Sequence, residues 1–446
     1  MTAAPTTVRE VMAALAARFP SEDRMVPDLD RIRLLTEVMG DPQRAYPAVH
    51  LTGTNGKTST ARMVDAVLAS FGLRTGRYTS PHLESPTERI TLDGAPLPDE
   101  RFVEVFGEVA PLVELVDARS PQAVTFFEVL TAMAFAAFAD APVDVAVLEV
   151  GLGGSWDATN VVDAGTCVVL PVGLDHVPLL GTTVAEIAAE KAGIITAGAT
   201  AVIAAQPVEA AEVLLRRCAE VGATVAREGL EYGVLERRTA VGGQLLTLQG
   251  LAGVYDDVFL PLHGVHQAAN AASALAAVEA FLGGGTSGVL DLDAVREGFA
   301  QVRSPGRLEV LRTGPTVVVD AAHNPAGMAA SVAALGDAFA LTSLVAVVAC
   351  LADKDVRGML EALEPAVTAV VVTTVSSPRA MSADDLAALA EEVLGSDRVH
   401  VEDRLDDALD TAVALAEADG AYGAGGVLVT GSVVTAGEAR HLLAGR

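Results

Sequence analysis

The chain has 446 residues, 51% of them apolar and only 20% charged, with a formal net charge of −28. Such a length holds two or three domains, and such a composition builds a large core rather than a disordered chain. The charge argues against nucleic acid and anionic membrane surfaces as partners, because phosphates are repelled overall, yet it leaves room for a nucleotide, which needs only local positive groups.

Met1–Ala17 lacks a basic stretch followed by an apolar core, so no signal peptide is expected, and the apolar run Ala338–Ala352 is too short to span a bilayer. The three cysteines, Cys167, Cys218 and Cys350, have no metal-ligand spacing and are odd in number. They read as buried free thiols in a reducing cytosol, and the chain as cytoplasmic.

Residues 1–45 read as helical, with Leu15 and Phe19 on one face, followed by Arg31–Leu35 and Val38-Met39 before Gly40. The run Tyr46–Leu51 reads as a strand. It enters Thr52-Gly53-Thr54-Asn55-Gly56-Lys57-Thr58-Ser59, after which Met63, Val67 and Phe71 fall on one helical face beside Val64 and Leu68. Strand, glycine turn, Lys-Thr and helix form the phosphate-cradling arrangement, in which backbone N–H groups and the helix dipole meet the anion. Lys57 would reach the β/γ-phosphates, and a hydroxyl of Thr58 or Ser59 could touch Mg²⁺. The spacing is G-x-x-G-K-T rather than the longer G-x-x-x-x-G-K-[ST], and a Gly-rich turn at a helix start is the plain alternative.

A second strand at Thr75–Thr79 runs into the proline-rich Ser80–Pro86, read as an ordered loop beside the phosphates. A long apolar helix is expected over Gln122–Phe138. The strand Val143–Leu148 ends in Glu149, where an acidic residue at a buried strand end would hold Mg²⁺, since an unpaired buried carboxylate is costly. Thr166–Val172 reads as a strand ending in Gly173-Leu174-Asp175-His176, and Thr183–Ala192 as a helix carrying Lys191. Residues 224–262 suggest a small antiparallel excursion, Gln267–Phe281 a helix, and Gly283–Gly288 a flexible loop. A domain boundary is expected near Ser304-Pro305-Gly306-Arg307, giving domains 1–304 and 305–446. The second alternating array has strands at Thr316–Asp320, Leu344–Ala349, Val367–Thr374 and Val427–Thr430, with Pro325 in a helix first turn and Ser382 as a helix cap. The fold class is α/β: a P-loop-type, mostly parallel sheet domain and a smaller, doubly wound, Rossmann-like C-terminal α/β domain. Polar strand ends in both suit a nucleotide caught between two domains.

Taken together, Thr52–Ser59, Thr79–Leu83 with Glu88-Arg89-Ile90, Thr125–Glu128, Leu148–Asn160, Leu174–His176, Glu190–Ile194, His266–Asn270, Pro305–Glu309, Asp320–Pro325, Asp353–Asp355 and Thr430–Arg440 span almost the whole chain in order. This ordered set resembles the dihydrofolate synthase/folylpolyglutamate synthase family of the Mur ligase superfamily. The resemblance implies ATP-dependent addition of L-glutamate to dihydropteroate and reduced folates, by a monomer. ATP and Mg²⁺ are the implied cofactors, with one or two ions and a monovalent cation such as K⁺ as a further option. Gly53 to Ser59 then resemble the phosphate cradle, with Lys57 catalytic. Ser80, Glu149 and His176 resemble Mg²⁺ ligands, and Lys191 the lysine that is carbamylated near the metals. Thr125, Phe127, Asp157, Ala158 and His82 resemble substrate-binding positions, and Asn270, Arg307, Asp320 and His323 contacts to ATP.

The chain departs from the family pattern in three places. Thr58 stands where glycine is common, Ser155 where arginine is frequent, and Ala321 where glycine is common. The Ser155 change would weaken binding of an acidic substrate. No Cys or Ser nucleophile with a His partner is apparent, and none is needed. A substrate carboxylate can attack the γ-phosphoryl group, and the amine of glutamate the resulting acyl phosphate. Two other readings compete: a muramyl-peptide ligase with the same phosphate loop, and a nucleotide-dependent switch. Ser80–Leu83 and Thr125–Glu128 favour folate over the first, and the lack of an N-K-x-D signature disfavours the second.

Overall fold

The computed structural model describes residues 5–18, 28–283, 288–419 and 425–444. Phe19 and residues 284–287 of the expected glycine loop lie outside them. The chain forms two compact units. One comprises Met1–Arg237, Leu245–Leu260 and Ala268–Val302; the other comprises Arg238–Gln244, Pro261–Gln267 and Arg303–Arg446.

The first unit is built on eight strands: β1 (Ala48–Thr52), β2 (Thr75–Tyr78), β3 (Ile90–Leu92), β4 (Ala95–Pro96), β5 (Val145–Glu149), β6 (Thr166–Val169), β7 (Thr200–Ile203) and β8 (Thr224–Arg227). Their order is β4-β3-β2-β5-β1-β6-β7-β8. From β2 to β8 every neighbouring pair is parallel, while β3 and β4 fold back antiparallel on one edge. Every residue of β1, β2, β5 and β6 is buried, as expected of strands covered on both faces. In the register, Leu51 lies opposite Glu149 and Val168, so β1, β5 and β6 release their chains at one edge of the sheet. The chain leaves β1 toward β2 on one side and leaves β5 toward β6 on the other. That reversal opens the crevice where such sheets take ligands.

Three further strands, β9 (Gly233–Ala240), β10 (Gly243–Gln249) and β11 (Val254–Leu260), form a separate small sheet. The antiparallel excursion expected from residue 224 thus begins at Gly233, because Thr224–Arg227 pairs parallel with β7 as the edge of the main sheet. The second unit carries β12 (Glu309–Thr313), β13 (Thr316–Val319), β14 (Ser343–Val348), β15 (Ala369–Val372), β16 (Val399–Val401) and β17 (Gly425–Thr430), in the order β12-β13-β17-β14-β15-β16. Only β12 is antiparallel. Pro325 opens the helix Pro325–Ala338 behind the Asn324 cap, and Ser382 caps Ala383–Leu394, both as expected.

Two helices differ from the sequence reading. The expected helix at Gln122 starts at Phe126 and runs to Asp140, because Thr125 and Glu128 close a capping box at its start. Gln122 instead accepts a hydrogen bond from Arg31, whose Nε also meets the buried Glu128 carboxylate at 3.1 Å. The sequence reading passed over a 19-residue helix, Asp99–Asp117, although Phe102, Val105, Phe106, Val109, Val113 and Val116 follow helical spacing and are buried. No helix among the described residues is long and apolar enough to cross a membrane. All three cysteines are free and buried.

The helix that follows the phosphate loop, Lys57–Ser70, is pinned by a later one, Leu292–Ala300. Ser70 Oγ donates to the Ala294 carbonyl at 2.8 Å, and Gly298 lets the two backbones touch. A Cβ at Gly298 would stand 2.6 Å from Val67 Cα, a backbone atom that cannot step aside. Two effects therefore oppose each other in Gly298→Ala: helix propensity favours alanine by about 1 kcal/mol, and overpacking costs about 1–3 kcal/mol. The contact is with backbone, so we expect a net loss of about 1 kcal/mol or more in urea unfolding. A gain would show that the two helices do not meet at this position.

Candidate active site

The phosphate loop is fixed from both sides. Gly56 adopts φ 88, a left-handed conformation that favours glycine, and so turns the chain into the helix at Lys57. A Cβ there would lie 2.6 Å from Asn270 Oδ1, so Asn270, far away in sequence, packs directly against the loop. Thr54 is stapled to the segment after β6: its N–H donates to the Pro171 carbonyl at 2.9 Å, its hydroxyl donates to the Gly173 carbonyl at 3.0 Å, and Gly173 N–H returns a bond to that hydroxyl. Lys57 Nζ lies over the loop, donating to the carbonyls of Gly53 at 2.9 Å and Thr54 at 3.1 Å. Ser59 is buried in the first helical turn, and Asn55 sits at the loop apex.

Glu149 ends β5 with 1% exposure. Thr58 Oγ1 lies 3.0 Å from each of its carboxylate oxygens, and the Ser80 N–H lies 3.4 Å from one of them. Carboxylate and hydroxyl oxygens are hard donors of the kind Mg²⁺ takes, and a cation there would offset the burial of this charge. His176 caps a short helix at φ 50, with its Nε2 3.9 Å from Asp175. Among the described residues no three His, Cys, Asp or Glu side chains cluster as a metal site. Glu149, Ser80 and His176 alone would thus offer Mg²⁺ one carboxylate, one hydroxyl and one imidazole.

Lys191 lies at the end of the helix Val184–Lys191, with 3% exposure and no hydrogen bond or ion pair to any described residue. Burial, and then the like charge of Lys57, pull its amine down to about 7, against the opposing pull of Asp175, Asp157 and Glu190. The segment around it is clasped by the loop after β5. Ser155 donates both N–H and Oγ to the Glu190 carbonyl at 2.9 Å, and Asn160 Nδ2 reaches the carbonyls of Ser155 and Gly193. Ser155, where the family often has arginine, therefore ties this loop to the Lys191 helix.

The expected substrate positions line a neighbouring region. Thr125 caps its helix, its hydroxyl accepting from Glu128 N–H. The Phe127 ring packs on Tyr78 at 5.8 Å, and against Gly151, where any side chain would collide with it. Asp157 is buried; it accepts from Leu152 N–H at 2.9 Å and from Thr159 N–H and Oγ1 at 3.0 and 2.5 Å. Ala158 is buried in the same turn. Thr159 gives its proton to Asp157, so the ring of His50, 2.8 Å away on β1, donates to Thr159 from Nε2. Burial holds His50 down at about 3, hence neutral, while it raises Asp157. His82 accepts at Nδ1 from Arg89 Nε at 2.9 Å, and burial followed by the Arg89 charge lowers it to about 4.

In the second unit, Asp320 follows β13. Its oxygens accept from Leu308 N–H and Ala322 N–H at 3.0 Å and from Ser331 Oγ at 2.6 Å. These bonds, with Ala321 N–H to the Gly306 carbonyl at 2.8 Å, hold the turn that carries Arg307. Glu309 adds a bond from Gly306 N–H and is itself held by Arg440 at 3.1 Å. His323 donates from Nδ1 to the Ala321 carbonyl at 3.0 Å. His266 lies close enough to Asp320 and Arg307 to feel both charges, while burial lowers its basicity. The sequence reading quoted Arg89, Glu309 and Arg440 within motifs but gave them no role. The available signal was their reach to motif residues beside them, such as Arg89 to His82.

Models of the Mur ligase middle domain and of the Mur ligase glutamate ligase domain match residues 51–278 and 306–433. A dihydrofolate synthase/folylpolyglutamate synthase of Mycobacterium tuberculosis is 52% identical, covering 97% of this chain and 93% of that protein. The crystal structure of the M. tuberculosis folylpolyglutamate synthase complexed with ADP and AMPPCP superposes with a TM-score of 0.93 at 53% identity, covering 98% of both chains. The Thermotoga maritima folylpolyglutamate synthase superposes at 0.84 with 32% identity, covering 98% of this chain and 97% of the other. The chain belongs to the dihydrofolate synthase/folylpolyglutamate synthase family of Mur ligases.

Proposed function

We propose that this protein is an ATP-dependent ligase that adds L-glutamate to dihydropteroate and to reduced folates in folate biosynthesis. The observation that carries the reading is the register of β1 against β5, which sets the buried Glu149 against the first turn of the phosphate-loop helix, in a chain 52% identical to a dihydrofolate synthase/folylpolyglutamate synthase. We take the domains to divide at 1–304 and 305–446, although the segments Arg238–Gln244 and Pro261–Gln267 cluster with the second unit. The protein works as a cytoplasmic monomer on small molecules, without nucleic acid or membrane partners.

The substrate carboxylate attacks the γ-phosphorus of ATP and ADP leaves, giving an acyl phosphate. The amine of glutamate then attacks the acyl carbon, loses a proton, and inorganic phosphate departs. Gly53, Thr54, Asn55, Gly56, Thr58 and Ser59 offer backbone donors and hydroxyls to the phosphates. Lys57, mobile on its stem, leaves the loop carbonyls for the β/γ oxygens. Arg307 meets phosphate, with Asn270, Asp320 and His323 as further ATP contacts. Asp320 spends both carboxylate oxygens on its own loop, so it serves ATP chiefly by holding Arg307 in place. Ser80, Glu149 and His176 hold one or two Mg²⁺ ions, which supply neutralisation of the transferring charge; a K⁺ ion is a further occupant. Thr125, Phe127, Asp157, Ala158 and His82 receive the pterin-bearing substrate.

Lys191 is the remaining metal-side group. A bare ammonium buried at 3% exposure with no partner is unstable beside Mg²⁺, whereas its carbamate is attracted. With ¹³C-bicarbonate, the wild type should show a protein-bound carbamate carbon resonance that is absent in Lys191→Ala. The variant should lose about a hundredfold or more in turnover, the scale of a lost charge-stabilising group. Full activity in the variant and no resonance in the wild type would overturn the carbamate.

The function itself is tested by phosphate release from ATP with L-glutamate and dihydropteroate, tetrahydrofolate or no acceptor. We expect release with each acceptor and little without one. Release with one acceptor alone would make the enzyme monofunctional. Release only with a muramyl-peptide precursor would replace the folate reading with the sister ligase activity.

A further inference from the structure

Arg89 ends the short helical turn Pro86–Arg89, leads into β3, and is 7% exposed. Its Nε donates to His82 Nδ1 at 2.9 Å, and its guanidinium lies over the Phe126 ring, 5.5 Å from the centroid. Its two Nη groups have no hydrogen bond or ion pair to any described residue. Arg77, the neighbouring buried arginine, shows the contrast: its Nη groups are taken by Asp65 and Thr91. The loop is built to hold Arg89 in place. Glu88 accepts from the N–H groups of Leu83, Glu84 and Ser85 at 2.9, 2.9 and 2.7 Å, which fixes the turn; its charge acts on Arg89 without an ion pair between them. Tyr78 and Glu149 are near enough to act on the guanidinium electrostatically, so it stands on the metal-binding side of the expected substrate region.

The stem and Nε of this guanidinium are buried, while its Nη groups are not sealed away and leave four N–H donors open to an arriving anion. We infer that Arg89 is the anchor for the carboxylate that is to be activated, receiving it bidentately through its two Nη groups beside Phe126. The inference deepens the ligase reading and rests on it. A fork of two parallel N–H donors matches a carboxylate. The same pairing takes charge off an acid that must approach the γ-phosphate of ATP, and it does so in a chain of net charge −28 that otherwise repels anions. Dihydropteroate presents its single benzoate carboxylate, whereas tetrahydrofolate, whose benzoyl carbon is already an amide, presents a side-chain carboxylate of its glutamate with a second carboxylate beside it.

The test uses the full chain with Arg89→Gln and Arg89→Lys, whose folding is compared with the wild type by thermal melting. Affinity is measured for dihydropteroate and for its carboxamide, together with KM for both acceptors and for ATP. In the wild type the acid should bind about tenfold or more tighter than the amide, and in Arg89→Gln the two should bind alike. KM for both acceptors should rise by about tenfold, with KM for ATP within about twofold, and Arg89→Lys should fall between. An unchanged preference for acid over amide in folded Arg89→Gln would overturn the inference. So would a loss confined to tetrahydrofolate, which would place the second carboxylate there, or a loss confined to ATP. A wild type that turns over neither acceptor would sink the ligase reading instead, and the acid-against-amide comparison would still judge Arg89.

Discussion

The first unit depends on one carboxylate. Glu149 ends a fully buried parallel strand, and a charge in that place must be met. Thr58, in the first turn of the next-door helix, meets it with a hydroxyl, which makes the parallel pairing of β1 and β5 do two things at once. It closes the centre of the sheet, and it brings the phosphate loop and an acidic ligand within one hydrogen bond of each other. Lysine and glycine suit the loop to an anion, and Glu149 suits the same place to a cation. A site for a metal-bound polyphosphate needs both, and neither strand could slip in register without losing one of them.

Around that point the chain concentrates buried positive charge that its overall composition opposes. Lys191 feels the charges of Lys57, Asp175, Asp157 and Glu190, Arg89 feels those of Glu149 and Glu88, and the Lys57 charge lowers the basicity of Lys191. The contacts that hold Lys191 and Arg89 do not neutralise them. Lys57 rests on carbonyls, Lys191 is clasped through the backbone of Glu190, and Arg89 leans on an imidazole and a ring. Carbonyls, imidazole and aromatic faces orient a cation while leaving its charge unspent. A protein of this net charge can therefore gather anionic substrates in one place without a basic surface.

Much of this was legible in the sequence, and for definite reasons. The strand-to-helix switch at Gly56-Lys57, the acidic residue closing β5, Pro325 in a helix first turn and the cap at Ser382 are local signals, carried by residues within a few positions of the feature they specify. What the sequence withheld was non-local. Thr224–Arg227 has the look of an isolated strand, and only its pairing with β7 assigns it to the parallel sheet. The helix Asp99–Asp117 carries a plain amphipathic pattern that was overlooked, with Pro111 inside it as a distraction. Gln122 reads as helical until Arg31 is seen to claim it. Ser155 reads as a lost arginine, and in the fold it is a clasp on Glu190. For Gln122 and Ser155 the partner lies 91 and 35 positions away, and for Thr224 the paired strand lies 24 away, beyond any window in which periodicity speaks; the helix Asp99–Asp117 was a local signal missed.

The second unit repeats the same logic with different parts. Arg307 sits in a turn whose backbone donors are consumed by Asp320 and Glu309, and Glu309 is in turn held by Arg440 from the helix after β17. The residue that would meet phosphate is thus not the one that makes the ion pair. The pair holds the turn, and the turn aims Arg307. Such a division gives the reach from Glu309 to Arg440 a physical reason: a flexible cation loses rotamer entropy when it binds, and a backbone fixed beforehand leaves less to lose at that moment. In both units, then, buried carboxylates shape the loops and turns that carry the cations proposed to meet substrate.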